Sequence, residues 1–379
     1  MKRKKKEKHT GMGRKLLLLF ADVSFAALLV LGIYIYYYKI PQPGIPATAS
    51  SPGMEQTMEV SQEIEYNSGQ PETLEDAYSY EEEETAGDGP QMTENGLTIT
   101  KVNKDTTDWH QKFQGHFTNE AVLTETSYTS PQLSIQITKE SYDSGIVDTS
   151  AEGKHKKYGT KVAYTLADVY IGDITCFQTA FAKDTYGNGY SEKLGDMALR
   201  LGSVLAVNGD SYNNNRHQNN GTIIRNGLVY RSQRTDMETC VLNWDGTMQI
   251  YEPADLNIQT LIDRGAYQSW VFGPGLLDEN GKAKQDFLTW DYIQQSHPRT
   301  AIGYYEPGHY CFLVVDGREP GYSRGMFLSE EAKLFEQLGC RAAYNLDGGH
   351  CSFMALKGQI ISQPYKTEHE VPDGIFILE

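Results

Sequence analysis

Cysteine is scarce and poorly spaced for metal chemistry. The chain has 379 residues and five cysteines, Cys176, Cys240, Cys311, Cys340 and Cys351, with no CxxC pair among them. Zinc ribbons and fingers are therefore not expected, and an odd count leaves at least one thiol outside any intramolecular disulfide. Cys311 and Cys340 read as core-facing positions at a strand and a helix end, so buried free thiols are the expected state. Basic stripes are also lacking. The formal net charge is −16, and residues 41–95 hold thirteen acids and no Lys or Arg. Residues 96–379 carry twenty-five basic against thirty-five acidic side chains. Phosphate backbones select for basic surfaces, so no nucleic-acid partner is expected. Internal repeats and EF-hand loops are absent, and long apolar runs are missing with one exception.

That exception is Leu16 to Tyr38, LLLLFADVSFAALLVLGIYIYYY. It is long enough to cross a hydrocarbon core of about 30 Å. Asp22 interrupts it near one end, where a carboxyl can lean toward the interface. Tyr34, Tyr36, Tyr37 and Tyr38 gather at the other end, suited to headgroup level. Nine Lys/Arg against two acids in residues 1–40 put the N-terminus on the cytoplasmic side by the positive-inside rule. The rival reading is a cleaved signal peptide ending near Ala47-Thr48-Ala49, but the apolar run is longer than a usual signal core and that site lies well beyond it. The expected order is a cytoplasmic basic tail (1–15), a transmembrane signal anchor (16–38) and a disordered acidic stalk (39–95). Everything after the anchor is expected outside the cell membrane.

From Leu97 the pattern becomes that of a folded domain, with residues 96–159 as a β-rich lead-in. Leu133–Ile137 and Val162–Leu166 alternate as half-buried strands. Asn226-Gly227 and Asp245-Gly246 each sit between apolar runs, the strongest short signal for a tight hairpin. Ser191 is the expected N-cap of a helix over 191–201, leading into a buried strand at 204–207. A second helix starts near Ser329, with acids in its first turn and Gly339 closing it. The expected fold is α+β, a mixed and largely antiparallel sheet with a few covering helices.

Polar, Gly-rich clusters recur where apparent buried strands end: Val207-Asn-Gly-Asp-Ser-Tyr212, Phe272-Gly-Pro-Gly-Leu276, Pro298-Arg-Thr-Ala-Ile-Gly303, Val315-Asp-Gly-Arg318 and Tyr344-Asn-Leu-Asp-Gly-Gly-His-Cys-Ser352. Each alone is ordinary turn chemistry. Their order over residues 160–379 resembles the phosphodiester glycosidase domain family. The resemblance carries over Asn208, Gly209 and Asp210; Arg299 and Thr300; Asp316 and Arg318; and Asn345, Asp347, Gly348, Gly349 and Ser352. It departs at Ser211, where an aromatic is usual, and at His350 and Cys351, where Gly and Ser are commoner.

The resemblance implies cleavage of a sugar-1-phosphodiester. Such a reaction needs a cation for the phosphate and a carboxylate for the anomeric centre. Arg299 and Arg318 are the expected phosphate ligands, with Arg225 and Arg324 in reserve. The bland alternatives are a buried Arg–Asp pair for Arg299 and a solvated side chain for Arg324. Asp210 and Asp347 are candidates for base or nucleophile, and Asp316 for orienting an arginine. Asn208, Gly209, Thr300, Asn345, Gly348, Gly349 and Ser352 are expected to line the substrate. His350 has the chemistry of a proton shuttle, whereas His297 reads as a loop residue. Tyr212, Tyr304 and Tyr322 offer rings for sugar stacking or for packing. No cofactor or metal site is expected, although converging carboxylates would suit a divalent cation such as Ca2+. The expected function is a membrane-anchored extracellular hydrolase acting on cell-envelope or exopolysaccharide glycans. The alternative is a non-catalytic glycan-binding or assembly module.

Overall fold

A computed structural model describes residues 4–38, 40–41, 44–47, 91–93, 96–101, 107–149, 156–213 and 220–379. Nearly all of the expected acidic stalk lies outside the described residues. The chain divides into two units, the first comprising residues 1–46 and 185–190 and the second the remainder.

In the first unit one helix runs Lys4–Tyr38. Its stretch Leu18–Tyr36 has a mean hydropathy of 2.3 and no buried residue, which makes it apolar and long enough to cross a membrane. At 1.5 Å per residue those nineteen residues span about 28 Å. Ile45–Pro46, expected in the stalk, instead pairs antiparallel with Thr185–Tyr186.

The second unit is built on two main sheets, both antiparallel throughout. The larger orders its strands Ala342–Asn345, Arg299–Glu306, His309–Asp316, Lys161–Ile171, Leu133–Asp143, Ser127–Thr129 and Val122–Leu123. The smaller orders them Gln359–Ile360, Met354–Leu356, Leu205–Asn208, Asp373–Ile377 and Phe177–Phe181. A three-stranded sheet, Met248–Tyr251, Thr239–Asn243 and Ala266–Trp270, joins them. Within residues 96–159, the strand Leu133–Asp143 pairs with Lys161–Ile171 along its whole length.

Strand periodicity explains the layering. Leu205 and Val207 point into the largest core cluster, with Ile135, Val169, Phe312, Val314 and Trp270, while Ala206 between them points to the opposite side. There the helix Leu194–Leu201 covers the small sheet through Leu194, Met197 and Ala198. On the outer face of the large sheet, Leu313, Val315 and Ala301 pack against Leu328, Ala332 and Phe335 of the helix Leu328–Leu338. The order is helix, sheet, sheet, helix. Because this large sheet is covered on both sides, Val162 to Thr165 are all buried, not half-buried as their alternation predicts.

The local signals resolve unevenly. Asn226 and Gly227 both take positive φ, 52° and 83°, and close the Thr222–Arg225/Leu228–Ser232 hairpin as a type I′ turn requires. Ser191 does not cap its helix: the N-cap is Lys193, without a side-chain bond, and the Ser191 hydroxyl donates to Glu370 instead. All five cysteines are free, with Cys311 and Cys340 buried and their sulfurs 3.7 Å apart.

Candidate active site

The Leu205–Asn208 strand ends in a corner fixed by Asn208. Its Nδ2 donates to the Asp347 carbonyl at 2.7 Å, and its Oδ1 accepts from Thr300 Oγ1 at 2.6 Å and Phe353 N at 3.1 Å. One buried amide therefore fastens three motifs together. Thr300 acts through Asn208 and not toward solvent. Beyond the corner, Asp210 is fully buried and accepts from the backbone N–H groups of Val271 and Phe272 at 2.8 and 2.7 Å. Asp373, which no sequence motif marked, accepts from Asp210 N and from Arg225 Nη2 at 2.9 and 2.6 Å. Desolvation pushes Asp210 up to about 7, against the pull of Arg225. Arg225 is 2% exposed and committed to Asp373 and the Ile224 and Ser269 carbonyls. Asp210 and Arg225 are the foundation of the corner, out of reach of substrate.

Above this foundation runs the turn 347–352. Asp347 is half-buried, and its carboxylate accepts from Gly348 N at 2.9 Å and from the Cys351 thiol and the Ser211 hydroxyl. Removal from water pushes Asp347 up to about 6; those three donors pull the other way, and Asp373 adds to the rise. Cys351, held in this contact, is driven well above the usual thiol range by burial and by Asp347. Gly349 sits at φ 71°, and a Cβ there would lie 3.2 Å from Arg318 Nη2, so the turn passes directly against the guanidinium. Ser352 Oγ is buried without a hydrogen-bond partner, as is Asn345 Oδ1, whose Nδ2 donates to the Gly273 carbonyl.

Arg318 is half-buried and rests on neutral groups alone: Tyr365 Oη at 3.0 Å, His297 Nδ1 at 3.1 Å and Tyr292 Oη at 3.4 Å. Among the described residues no carboxylate forms an ion pair with it. Because a guanidinium only donates, His297 Nδ1 is the acceptor and its Nε2–H donates to the Tyr292 carbonyl at 2.8 Å. That makes His297 a neutral imidazole with its tautomer fixed. Asp316 does not touch Arg318. It accepts from Tyr322 Oη at 2.8 Å and Gln363 N at 2.9 Å, which ties the Asp316–Arg318 turn to the segment bearing Tyr365. Burial pushes Asp316 up to about 6 despite those bonds.

One expected phosphate ligand, Arg299, and one reserve, Arg324, are committed to other partners. Arg299 is 3% exposed, and its donors go to the Met326, Ile293 and Gln295 carbonyls at 3.0, 2.6 and 2.6 Å. Its carboxylate partner is Glu331 at 3.8 Å, not an aspartate. Burial lowers Arg299 to about 10 and raises Glu331 to about 7. Arg324 is 1% exposed and bound to Glu330 at 2.6 Å, so it is neither solvated nor free for an anion. Tyr212 and Tyr304 are core residues, and Tyr322 is engaged by Asp316. His350 Nε2–H donates to the Thr367 carbonyl, 3.1 Å away, and the ring stacks on His369 at 4.7 Å. Among the described residues no group of three His, Cys, Asp or Glu side chains is placed to hold a metal ion. The sequence reading overlooked Asp373, Tyr292 and Tyr365 and gave His297 no role. The only signal was the position of His297, two residues before Arg299.

Comparison with known proteins was informative at the level of family. The phosphodiester glycosidase family model matches residues 201–378. An uncharacterized SPbeta prophage-derived protein of Bacillus subtilis (strain 168) is 32% identical over 194 residues, covering 50% of this chain and 29% of the relative. The match thus spans less than a third of that relative's length. The zebrafish N-acetylglucosamine-1-phosphodiester alpha-N-acetylglucosaminidase catalytic domain, auto-inhibited by its pro-peptide, has a TM-score of 0.49 at 20% identity. That likeness covers 66% of this chain and 89% of the zebrafish one. A Synechocystis protein has a TM-score of 0.40 at 16% identity, covering 65% and 62%. The family match includes the Asn208 corner, the Arg318 turn and the Asp347 turn, and residues 201–378 of this chain belong to the phosphodiester glycosidase family.

Proposed function

We propose that this chain hydrolyses a sugar-1-phosphodiester, with Arg318 binding the phosphate and Asp347 acting at the anomeric centre. One observation carries this reading: a half-buried guanidinium that forms no carboxylate pair among the described residues lies against the same Gly-Gly turn that carries a half-buried carboxylate. A guanidinium held by neutral acceptors keeps its full charge for an incoming anion. Asp347, unprotonated above about pH 6, would take a proton from water or attack the anomeric carbon. The departing phosphate monoester is already a stable anion, so the reaction needs little help from a general acid. Asp210 and Asp316 support the backbone of the two turns. The apolar N-terminal helix would hold the chain at the cell membrane, with the domain outside and cell-envelope or exopolysaccharide glycans as its substrates.

The test is release of free reducing sugar from sugar-1-phosphodiesters by the full chain in detergent. Asp347→Asn should lower kcat by about 10²–10⁴-fold while leaving the fold intact by circular dichroism. Full activity in that variant, or no release by the wild type across several such esters, would sink the reading. A non-catalytic glycan-binding module is the second reading. It is favoured by the three donors on Asp347, which blunt its basicity, and it requires glycan binding without turnover.

A further inference from the structure

Two thiols meet in the apolar layer between the large sheet and the helix Leu328–Leu338. Cys311 lies in the His309–Asp316 strand and is 0% exposed; Cys340, just past the helix, is 3% exposed. Their sulfurs are 3.7 Å apart, and the Tyr305 hydroxyl is hydrogen-bonded to both. The sheet makes room for the pair. Gly303 of the Arg299–Glu306 strand is paired with Cys311 on one side and with Ala343 on the other. A Cβ on Gly303 would lie 2.6 Å from Cys311 Sγ and 2.7 Å from the Phe335 ring, so glycine is what leaves space for sulfur over this strand. A thiol is a weak donor and a weak acceptor, so two of them gain little from meeting in an apolar layer. A metal would need more ligands: among the described residues no group of three His, Cys, Asp or Glu side chains is placed to hold one. Exchange with a dissolved substrate needs an exposed thiolate, and burial holds Cys311 well above the usual thiol range. A bond between the two sulfurs is the use that remains. It requires an approach of roughly 1.7 Å, which rotation of the cysteine side chains can supply.

We propose that Cys311 and Cys340 are joined by a disulfide in the mature protein, a covalent strap over Gly303. The strand His309–Asp316 leads to Arg318, and Ala342–Asn345, which follows Cys340, leads to Asp347. These two strands flank Arg299–Glu306 and are not hydrogen-bonded to each other, so the strap couples the supports of the two turns directly. Its formation is a two-electron exchange with a low-molecular-weight disulfide such as oxidised glutathione. One cysteine thiolate attacks that disulfide, giving a mixed disulfide and one released glutathione thiolate. The other cysteine then attacks its partner's sulfur in the mixed disulfide, the bridge closes and the second glutathione leaves. The two cysteine protons end on the two glutathione thiols, and the oxidant is reduced. Because both sulfurs are buried in the finished fold, the exchange belongs to folding or to local opening. Such a bridge persists in an oxidising compartment, the side on which the anchored domain is expected. The strap is independent of what the site cleaves.

The wild-type full chain in detergent is equilibrated with excess oxidised over reduced glutathione until its thiol content is constant. It is then trapped with a maleimide in denaturant, digested and mapped by mass spectrometry. The expected product is a peptide pair joined at Cys311 and Cys340, two hydrogens lighter than the sum of its parts, with Cys176, Cys240 and Cys351 linked to neither. Dithiothreitol should then lower the thermal midpoint by about 5–10 °C, the loss of one bridge in a domain of this size. The Cys311→Ala/Cys340→Ala variant should melt at one temperature with and without reductant. Free thiols at both positions in excess oxidised glutathione would overturn the strap, as would a bridge from either one to another cysteine. An equal effect of dithiothreitol on the wild type and the double variant would also defeat it. The mapping is done on the wild type, so the outcome does not hang on a variant that folds.

Discussion

Asp347 is placed where its protonation state can govern the site. Its carboxylate is lifted to about 6 by loss of water and restrained by Cys351, Ser211 and Gly348. If it works unprotonated, activity should rise with pH through about 6 and level above it. Cys351→Ala removes one donor to the charged form, so the acid limb should move to higher pH with little change on the plateau. A pH–kcat profile of the two proteins checks this, and an unmoved limb would show that the thiol contact has no bearing on the carboxylate. The sequence marked Cys351 only as a departure from the family pattern. A motif cannot report that a thiol is turned onto the carboxylate four residues earlier, because that depends on the path of the turn. Arg318 was named in advance, but its three neutral partners come from residues 292, 297 and 365.

At the scale of elements, Arg299 shows how a family motif can serve the scaffold. It sits at the start of the Arg299–Glu306 strand and gathers the carbonyls of Ile293, Gln295 and Met326 beneath the helix that carries Glu331. Both Glu331 oxygens lack a hydrogen bond, so the nearby guanidinium is what tolerates its charge. Arg299→Met should destabilise the domain by about 3–5 kcal/mol, because it strands a buried carboxylate. The sign with pH follows from the raised Glu331 value. Its contribution is fully present below the usual glutamate range and is lost as pH rises through about 7, and removing Arg299 worsens that loss. Urea denaturation should therefore show a larger penalty at pH 8 than at pH 5. Equal penalties would mean that the carbonyl contacts matter and the carboxylate does not. First-turn acids and Gly339 marked this helix in the sequence, but nothing there said that Arg299 would face it.

On the scale of the whole molecule, the charge regimes and the apolar helix set the expectation of a membrane-held chain. The full chain should sediment with membranes and resist alkaline carbonate extraction, whereas removal of residues 1–40 should release it to the soluble fraction. Replacing Leu28 with Arg, near mid-span, costs about 2.5–3.5 kcal/mol of insertion and should shift much of the protein to the carbonate-soluble fraction. Complete extraction of the wild type would refute the anchor.

What the sequence determined by itself was local or compositional. Length and hydropathy defined the helix, Asn226-Gly227 dictated its turn through positive φ, and the ordered Gly-rich motifs marked the strand ends where a site could form. Only the tertiary structure decided which of those motif residues face solvent. Asp210, Arg299 and Arg324 carry the right chemistry and are spent on backbone groups and buried partners, while Asp347 and Arg318 stay half-open on two turns that meet at Gly349. Burial depends on which sheets and helices pack over a residue, and that is a long-range property no short motif encodes.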